Sequence, residues 1–290
     1  MALRRHRQSA GTVWVRRQFI KPTRIPRAAK GPVPGLGGTA AVLGGQGVPL
    51  NEPVVETRDL SMRFGGVLAV NNVNLSLRDR ELRCLIGPNG AGKSTLFKCL
   101  TGQLPLNHAN GRVFIHGQDV TGWRPHEIVR LGVGIKTQVP SVMNGLTVWE
   151  NVWLAARRIH GRDRAGSETD RMIQEIELGS FVRRQTGELA HGQRQIVELC
   201  LVLVQKPWLV LLDEPAAGIT GAETEKLVAL IRRINETATV IVVDHDMHFV
   251  KMLGGSVTVM HQGAVLMEGH IDAVLRDARV REVYVGNRAK

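Results

Sequence analysis

One glycine-rich segment of the chain has the residue types and the spacing of a phosphate-binding loop. It matches the pattern G-x-x-x-x-G-K-[ST] and consists of Gly87, Pro88, Asn89, Gly90, Ala91, Gly92, Lys93, Ser94 and Thr95. The apolar run Leu82–Ile86 precedes it and the helical stretch 96–100 follows it. In that context the glycines let backbone N–H groups surround phosphates, and the helix N-terminus adds a partial positive charge. We expect Lys93 to contact the β- and γ-phosphates of a nucleotide and Ser94 to coordinate Mg²⁺.

Two acidic residues follow another apolar run. Residues 209–212 read Leu-Val-Leu-Leu and lead directly into Asp213 and Glu214. The carboxyl end of a strand is where α/β sheets bind their ligands. Asp213 is therefore predicted to hold Mg²⁺, directly or through water. Glu214 is predicted to orient and polarise the water that attacks the γ-phosphate.

A histidine and a glutamine are further candidates for the same site. Asp244, His245 and Asp246 follow the apolar run 240–243, and together they could form a metal site. Adjacent residues point in different directions at a strand end, however, so we expect His245 alone to face the nucleotide and to hydrogen-bond the γ-phosphate. Gln138 follows the short run 132–135, and its side chain could reach Mg²⁺ or the attacking water.

The elements that must position these residues have the pattern of an α/β fold. The apolar runs 209–212 and 240–243 are continuous rather than alternating, which favours central strands covered on both faces. Leu227, Leu230, Ile231 and Ile234 have the spacing of one buried helix face. The sequence therefore predicts a mainly parallel sheet surrounded by helices.

A fifth motif, added to the phosphate loop, Gln138, the acidic pair and His245, completes a set that occurs in a known order along the chain. It lies about twenty residues before the acidic pair and consists of Leu189, Ala190, His191, Gly192 and Gln193. With it, the chain from residue 54 to 286 resembles the ATP-binding subunit of an ABC transporter, in which 189–193 is the signature motif. The resemblance implies a P-loop NTPase cassette with a RecA-like, mainly parallel sheet core, an antiparallel β edge and a helical subdomain at about 140–200. It also implies that Phe64 stacks on adenine.

Shorter motifs narrow the resemblance to one group of importers. Residues 147–152, 213–218 and 283–286 are similar to the branched-chain amino acid and amide importer group. Within that group, the histidine of the signature motif and the segment 245–250 are most similar to the urea importer subunit of the D type. Urea, short amides and branched-chain amino acids remain open as the cargo.

The resemblance also implies partners and a location. Two such subunits enclose two ATP molecules with Mg²⁺, and the signature of one chain contacts the γ-phosphate bound to the other. The second subunit can be an identical or a different chain. Two membrane permeases would contact the surface near Gln138 and 147–160, and an extracytoplasmic binding protein would deliver the solute. The chain would then lie peripherally on the cytoplasmic face of the inner membrane.

The charge of the chain is unevenly distributed. The 290 residues carry a formal net charge of +12, but residues 1–50 hold nine Lys or Arg and no acid. Residues 51–290 have 29 basic and 26 acidic residues, a net charge of only +3. We expect the Gly- and Pro-rich stretch 1–50 to be a disordered extension, or to precede the start codon that is used, and we expect no nucleic-acid partner. A tail that contacts anionic lipid or a partner and an organelle transit peptide remain open as alternatives for this stretch. The sequence has no run of 18 apolar residues, which excludes a membrane-spanning helix. Its three cysteines have no disulfide pattern, which excludes a secreted fold held together by disulfides.

Two other functions compete with transport. A P-loop kinase would share the phosphate loop but does not need the motif at 189–193. A soluble ABC-type ATPase acting on nucleic acid would explain the basic stretch 1–50, but it would also require basic stripes in the nearly neutral remainder.

Three residues depart from the family pattern. Ala190 replaces a serine whose hydroxyl normally bonds the γ-phosphate of the partner subunit, and His191 replaces a glycine. Our hypothesis is that His191 borders that phosphate and partly compensates when protonated. Thr137 stands where an aromatic residue usually precedes the loop glutamine.

Overall fold

The computed structural model describes residues 52–219 and 221–285 of the chain. The predicted extension 1–50 therefore lies outside the described residues, as does Gly286. The strands are β1 (Val55–Phe64), β2 (Val67–Leu77), β3 (Leu82–Ile86), β4 (Arg112–Ile115), β5 (Gln118–Asp119), β6 (Val133–Lys136), β7 (Leu209–Asp213), β8 (Thr239–Val243), β9 (Ser256–His261) and β10 (Ala264–His270).

The helices alternate with these strands along the chain. They are α1 (Lys93–Leu100), α2 (Pro125–Val129), α3 (Val148–Arg157), α4 (Arg162–Glu175), α5 (His191–Leu203), α6 (Ala222–Asn235), α7 (Met247–Leu253), α8 (Ile271–Arg276) and α9 (Ala278–Val285). Short 3₁₀ turns occur at His108–Asn110, Gly179–Phe181 and Thr186–Glu188.

The strands form two sheets. The larger sheet has the order β10-β9-β3-β8-β7-β6, and only its edge strand β10 pairs antiparallel. The smaller sheet, β2-β1-β4-β5, is antiparallel throughout. This arrangement confirms the predicted α/β fold with a mainly parallel core and an antiparallel component.

Both faces of the larger sheet are buried, as its continuous apolar strands predict. Leu209 and Leu211 of β7 pack into a cluster shared with the smaller sheet and α1. Val210 and Leu212 point the other way, into a cluster with α6, α7 and α8. Successive side chains of a strand alternate between faces, so a strand covered on both sides must be apolar at every position.

A third apolar cluster joins α3, α4 and α5 and contains Val152, Ile173 and Val197. Helix α3 begins at the capping residue Thr147, whose hydroxyl accepts a hydrogen bond from the N–H of Glu150. The bounds of the cassette at 54–286 and of a helical subdomain at about 140–200 stay predictions. Within the described part of the chain, no helix combines the length and the apolar character needed to cross a membrane.

Candidate nucleotide-binding and hydrolysis site

The phosphate loop, residues 87–95, has a backbone that requires glycine. Gly87, Gly90 and Gly92 have φ angles of 151°, 80° and 100°, a range that side chains disfavour. A Cβ on Gly87 would collide with the carbonyl oxygen of Met260, and one on Gly92 with that of Ala69. Gly92 is also the N-terminal cap of α1. The loop therefore turns its backbone around the positive end of that helix, an arrangement that suits a bound phosphate.

The lysine of the loop is held ready for an anion. Lys93 is 6% exposed, and its Nζ donates hydrogen bonds to the carbonyl oxygens of Gly87 (2.7 Å) and Pro88 (3.0 Å). Burial lowers its pKa, while the nearby carboxylates of Glu214, Asp244 and Asp213 oppose that shift. The Lys93 Nζ thus lies inside the loop, held by two of its carbonyl oxygens.

The sheet register brings the separate motifs to one edge. Asp213 is level with Val243, and Val243 is level with Leu85 of β3. On the other side of β7, Lys136 at the end of β6 is level with Leu212. The segments that follow these four strands begin with residues 87, 137, 214 and 244, so they meet at the carboxyl edge of the parallel sheet.

Glu214 lies between two of the predicted partners. Gln138 Nε2 donates to Glu214 Oε2 at 3.0 Å, and His245 Nδ1 lies 3.4 Å from Glu214 Oε1. The Glu214 side chain is only 21% exposed, whereas that of His245 is 54% exposed. The φ of Glu214 is 45°, and its N–H donates to the Val243 carbonyl. The structure therefore brings Gln138, Glu214 and His245 together, although they are far apart in sequence.

Asp213 fits a cation. Its side chain is buried, and Oδ1 has no hydrogen-bond partner among the described residues. Burial, followed by the nearby Glu214, raises the pKa of Asp213 to about 6. A buried carboxylate oxygen without a donor is costly unless a cation approaches it. The described residues form no group of three or more metal-ligating His, Cys, Asp or Glu side chains, but Mg²⁺ bound mainly through nucleotide phosphates needs only one or two protein ligands.

Asp244 is a site residue to which sequence reasoning assigned no role. Its buried Oδ1 accepts hydrogen bonds from the backbone N–H groups of His245 (2.7 Å) and Asp246 (3.0 Å). This turn directs the His245 ring toward Glu214. Burial raises the pKa of Asp244. The signal in the sequence was an Asp directly after a buried strand, a common position for side chains that bond the backbone two residues on.

The remaining predicted nucleotide ligands differ in their exposure. Ser94 and Thr95 occupy the first turn of α1, with Ser94 exposed. Phe64 ends β1 with 49% of its surface exposed. Nothing in the described part of the chain lies within 4 Å of a Cβ built on Gly90.

The signature segment, residues 189–193, packs against the chain that follows Glu214. It forms the start of α5, and Gln193 Oε1 accepts a hydrogen bond from the Ala190 N–H at 3.2 Å. His191 turns its Nε2 to the carbonyl oxygen of Ala217, at 2.9 Å. Between residues 52 and 285, Thr220 excepted, no hydrogen bond joins this segment to the phosphate loop.

A cavity that the sequence did not indicate opens beside the phosphate loop. Its volume is about 420 Å³, and it is lined by Gly87, Pro88, Asn89, His245, Val283 and Tyr284. Tyr284, the one tyrosine of the chain, lies on α9, and burial raises its pKa. Helix α9 is therefore one wall of this cavity, opposite residues that lie much earlier in the chain.

Taken together, the fold and this edge of the sheet are those of a P-loop nucleotide-binding protein. The sequence profile of the family described as ABC transporter matches residues 70–217. The chain is 34% identical over 255 residues to the high-affinity branched-chain amino acid transport ATP-binding protein BraF of Pseudomonas aeruginosa, covering 82% of this chain and 99% of the relative. The LivG protein of Escherichia coli (strain K12), which has the same description, matches with the same identity and coverage.

Solved structures agree with the sequence relatives. A nucleotide-free ATP-binding cassette from an ABC transporter has a TM-score of 0.72 and 25% identity, covering 80% of this chain and 98% of that chain. The ADP conformation of another ATP-binding cassette of an ABC transporter has a TM-score of 0.70 and 25% identity, and the match covers 81% of this chain and 99% of that chain. The chain therefore belongs to the ABC transporter family, as an ATP-binding subunit and an ATPase. These relatives do not favour the P-loop kinase or the nucleic-acid ATPase.

Proposed function

We propose that the chain hydrolyses ATP as one half of a two-subunit motor that drives import of a small polar solute. The observation that carries the proposal is the Glu214 carboxylate, held between Gln138 and His245 at the sheet edge that also carries the phosphate loop. A carboxylate in this position can orient an attacking water and accept its proton.

Each side chain of the site then has a task. Lys93 binds the β- and γ-phosphates, and residues 87–95 surround them with backbone N–H groups. Gln138 and His245 fix the Glu214 carboxylate and the water beside it. Phe64 offers an exposed aromatic face to adenine.

The residues that would hold Mg²⁺ are Ser94, Asp213 and Gln138. The unpaired oxygen of Asp213 is the feature that supports this assignment. Mg²⁺, when bound, neutralises charge on the transferring phosphate.

A second ATP-binding subunit completes each site. The signature segment has no hydrogen bond to the phosphate loop of its own chain within the described residues. Ala190 and His191 are exposed, whereas Gly192 is buried against the Glu223 side chain, so the exposed residues 190–191 are the ones that could contact the nucleotide of a partner. Two phosphate loops and two signature segments would enclose two ATP molecules. An isolated chain should then turn over slowly.

Two permease subunits are the proposed partners on the membrane side. Large apolar side chains are exposed at Val139 and Met143, which follow Gln138 in the chain, at Leu154 of α3, and at Ile159, which lies just beyond the end of α3. Because Val139 directly follows Gln138, which bonds Glu214, a permease docked on this segment would sense closure of the dimer. The chain would be peripheral to the cytoplasmic face of the inner membrane, and a binding protein outside would supply the solute.

The solute belongs to the class of urea, short amides and branched-chain amino acids. BraF and LivG are named for branched-chain amino acids, while the signature histidine resembles the urea branch. Affinity purification of the tagged chain from its own membranes should yield two permeases, a second cassette and a binding protein. The ligand of that binding protein, measured by calorimetry with urea, acetamide and leucine, then identifies the cargo. Purification without any permease would contradict the transport proposal.

Glu214→Gln tests the hydrolysis site directly. The amide keeps the shape and the contacts of the side chain but cannot accept a proton, so turnover should fall by roughly 10²–10⁴-fold. ATP binding should persist, and the variant should accumulate as an ATP-bound dimer on size-exclusion chromatography. Glu236→Gln, an exposed glutamate after α6, is the matched control and should keep the wild-type rate. Wild-type turnover by Glu214→Gln would show that another group activates the water.

A further inference from the structure

Three polar side chains of helix α5 lie in one row along the helix, and two of them are buried. His191, Gln195 and Glu198 occupy positions i, i+4 and i+7, which place them in one row along the helix. Gln195 and Glu198 are 7% and 2% exposed. We call this row the α5 polar stripe.

The first residue of the stripe contacts the loop that follows Glu214. His191 Nε2 lies 2.9 Å from the Ala217 carbonyl oxygen, and because a carbonyl only accepts, that nitrogen carries the hydrogen. The Ala217 N–H in turn donates to the Glu214 carbonyl at 3.2 Å. A Cβ on Gly218, where φ is 74°, would lie 3.0 Å from the His191 ring. The ring is thus packed directly against this loop.

Gln195, the middle residue of the stripe, lies against His191. The Gln195 amide nitrogen lies 3.2 Å from His191 Nε2, and Gln195 Oε1 is buried without a hydrogen-bond partner among the described residues. A half-turn of the amide would offer that oxygen to the His191 N–H. The Gln195 side chain therefore lies directly against Nε2 of the histidine ring.

The last residue of the stripe reaches the strand that leads to Gln138. Glu198 Oε2 lies 3.3 Å from Lys136 Nζ, and both side chains are less than 5% exposed. Lys136 ends β6 two residues before Gln138. Buried ion pairs are costly to desolvate, and apolar residues of similar volume are often as stable in their place. A role in positioning accounts for this pair better than a role in stability.

We infer that the α5 polar stripe consists of positioning residues that hold the signature segment in a fixed relation to Glu214 and Gln138 of the same chain. The inference rests on the proposed function, in which that signature segment serves the nucleotide of the partner subunit. Closure of the dimer around the nucleotide bound to the partner subunit would then be transmitted through α5 to Glu214 and Gln138 of this chain. The two sites of a dimer should therefore act cooperatively.

Three variants test the stripe. His191→Ala removes the contact to Ala217, and His191→Gln keeps an N–H donor of similar reach. The paired variant Lys136→Met with Glu198→Leu removes both buried charges without leaving one unpaired. The measurements are ATP affinity of the isolated chain, kcat of the dimer, the Hill coefficient for ATP and the thermal midpoint of unfolding.

The loss of one hydrogen bond should lower kcat of His191→Ala by roughly two- to tenfold. Its Hill coefficient should fall toward one, its ATP affinity as an isolated chain should stay unchanged, and His191→Gln should recover most of both losses. The paired variant should show the same fall in Hill coefficient at a wild-type midpoint.

Wild-type kcat and Hill coefficient in His191→Ala would overturn the inference. Because His191 is exposed, misfolding is an inadequate explanation of a loss in this variant. An equal loss in His191→Gln and His191→Ala would overturn it as well. If instead the wild-type chain binds ATP but shows no increase in specific activity either with its own concentration or on addition of the co-purified second cassette, the proposed dimer function fails, and the inference fails with it.

Discussion

Ala190→Ser should both stabilise the chain and accelerate hydrolysis. Ala190 is the N-terminal cap of α5, with φ −59° and ψ 156°, the extended backbone of a capping residue. Gln193 Oε1 already accepts the Ala190 N–H, which is one half of a capping box. A serine hydroxyl would supply the other half by accepting the N–H of Gln193.

The stability part of this prediction has a defined size. An N-terminal cap of this kind contributes about 0.5–2 kcal/mol. For a domain of this length, a gain of about 1 kcal/mol raises the thermal midpoint by roughly 2–4 °C. The midpoint is measured without nucleotide, so that ATP binding does not contribute to it.

The functional part depends on the hydrogen of the same hydroxyl, which stays free to donate to the γ-phosphate of the partner subunit. A hydrogen bond to a charged group is worth about 1.5–3 kcal/mol. The ATP-bound dimer should then form roughly ten- to hundredfold more readily. Dimerisation is followed by analytical ultracentrifugation in the Glu214→Gln background, and ATPase activity is measured against protein concentration.

Ala190→Asp separates the two effects. An aspartate is an equally good cap, but its charge repels the phosphate, so this variant should be more stable and less active. If Ala190→Ser leaves dimerisation and ATPase activity unchanged, the missing hydroxyl does not matter. If neither substitution raises the midpoint, the capping geometry is wrong.

Further predictions concern single groups. Lys93→Ala should weaken ATP binding by roughly ten- to hundredfold on calorimetry, because a charged contact is lost; unaltered affinity would refute the assigned role of Lys93. Folding raises the pKa of Asp213 from 3.8 to about 6. The folded chain therefore binds this proton more tightly than the unfolded chain does. The resulting stabilisation is full below pH 3.8 and is lost as pH rises through about 6. Asp213→Asn should therefore raise the midpoint of the nucleotide-free chain at pH 7.5 much more than at pH 4, and a difference that does not change with pH would contradict this reasoning. Deletion of residues 1–50 should leave the ATPase rate intact, whereas a large loss would make this stretch part of the catalytic unit.

Much of the site could be predicted from short stretches of sequence. The phosphate loop depends on glycines and one lysine within nine residues, and their conformations are local. The acidic pair follows a strand whose apolar run is also local. Because ligands bind at the carboxyl ends of parallel strands, these two motifs were enough to predict one edge of one sheet.

Some contacts could not be predicted because they join residues far apart in the chain. Gln138 and Glu214 are 76 residues apart, and nothing near either residue specifies a 3.0 Å hydrogen bond between them. The Lys136–Glu198 pair is similar: a lone lysine in a strand and a lone glutamate in a helix each read as ordinary exposed residues until packing buries them together.

The sequence by itself therefore determined the family, the nucleotide loop and the strand ends that carry the acids, because each depends on neighbouring residues. Only the tertiary structure decided which way His191 turns, how Asp244 directs His245, and that Tyr284 lines a cavity beside the phosphate loop. Those outcomes depend on how β6, β7, β8, α5 and α9 pack, and packing is a property of the whole folded chain.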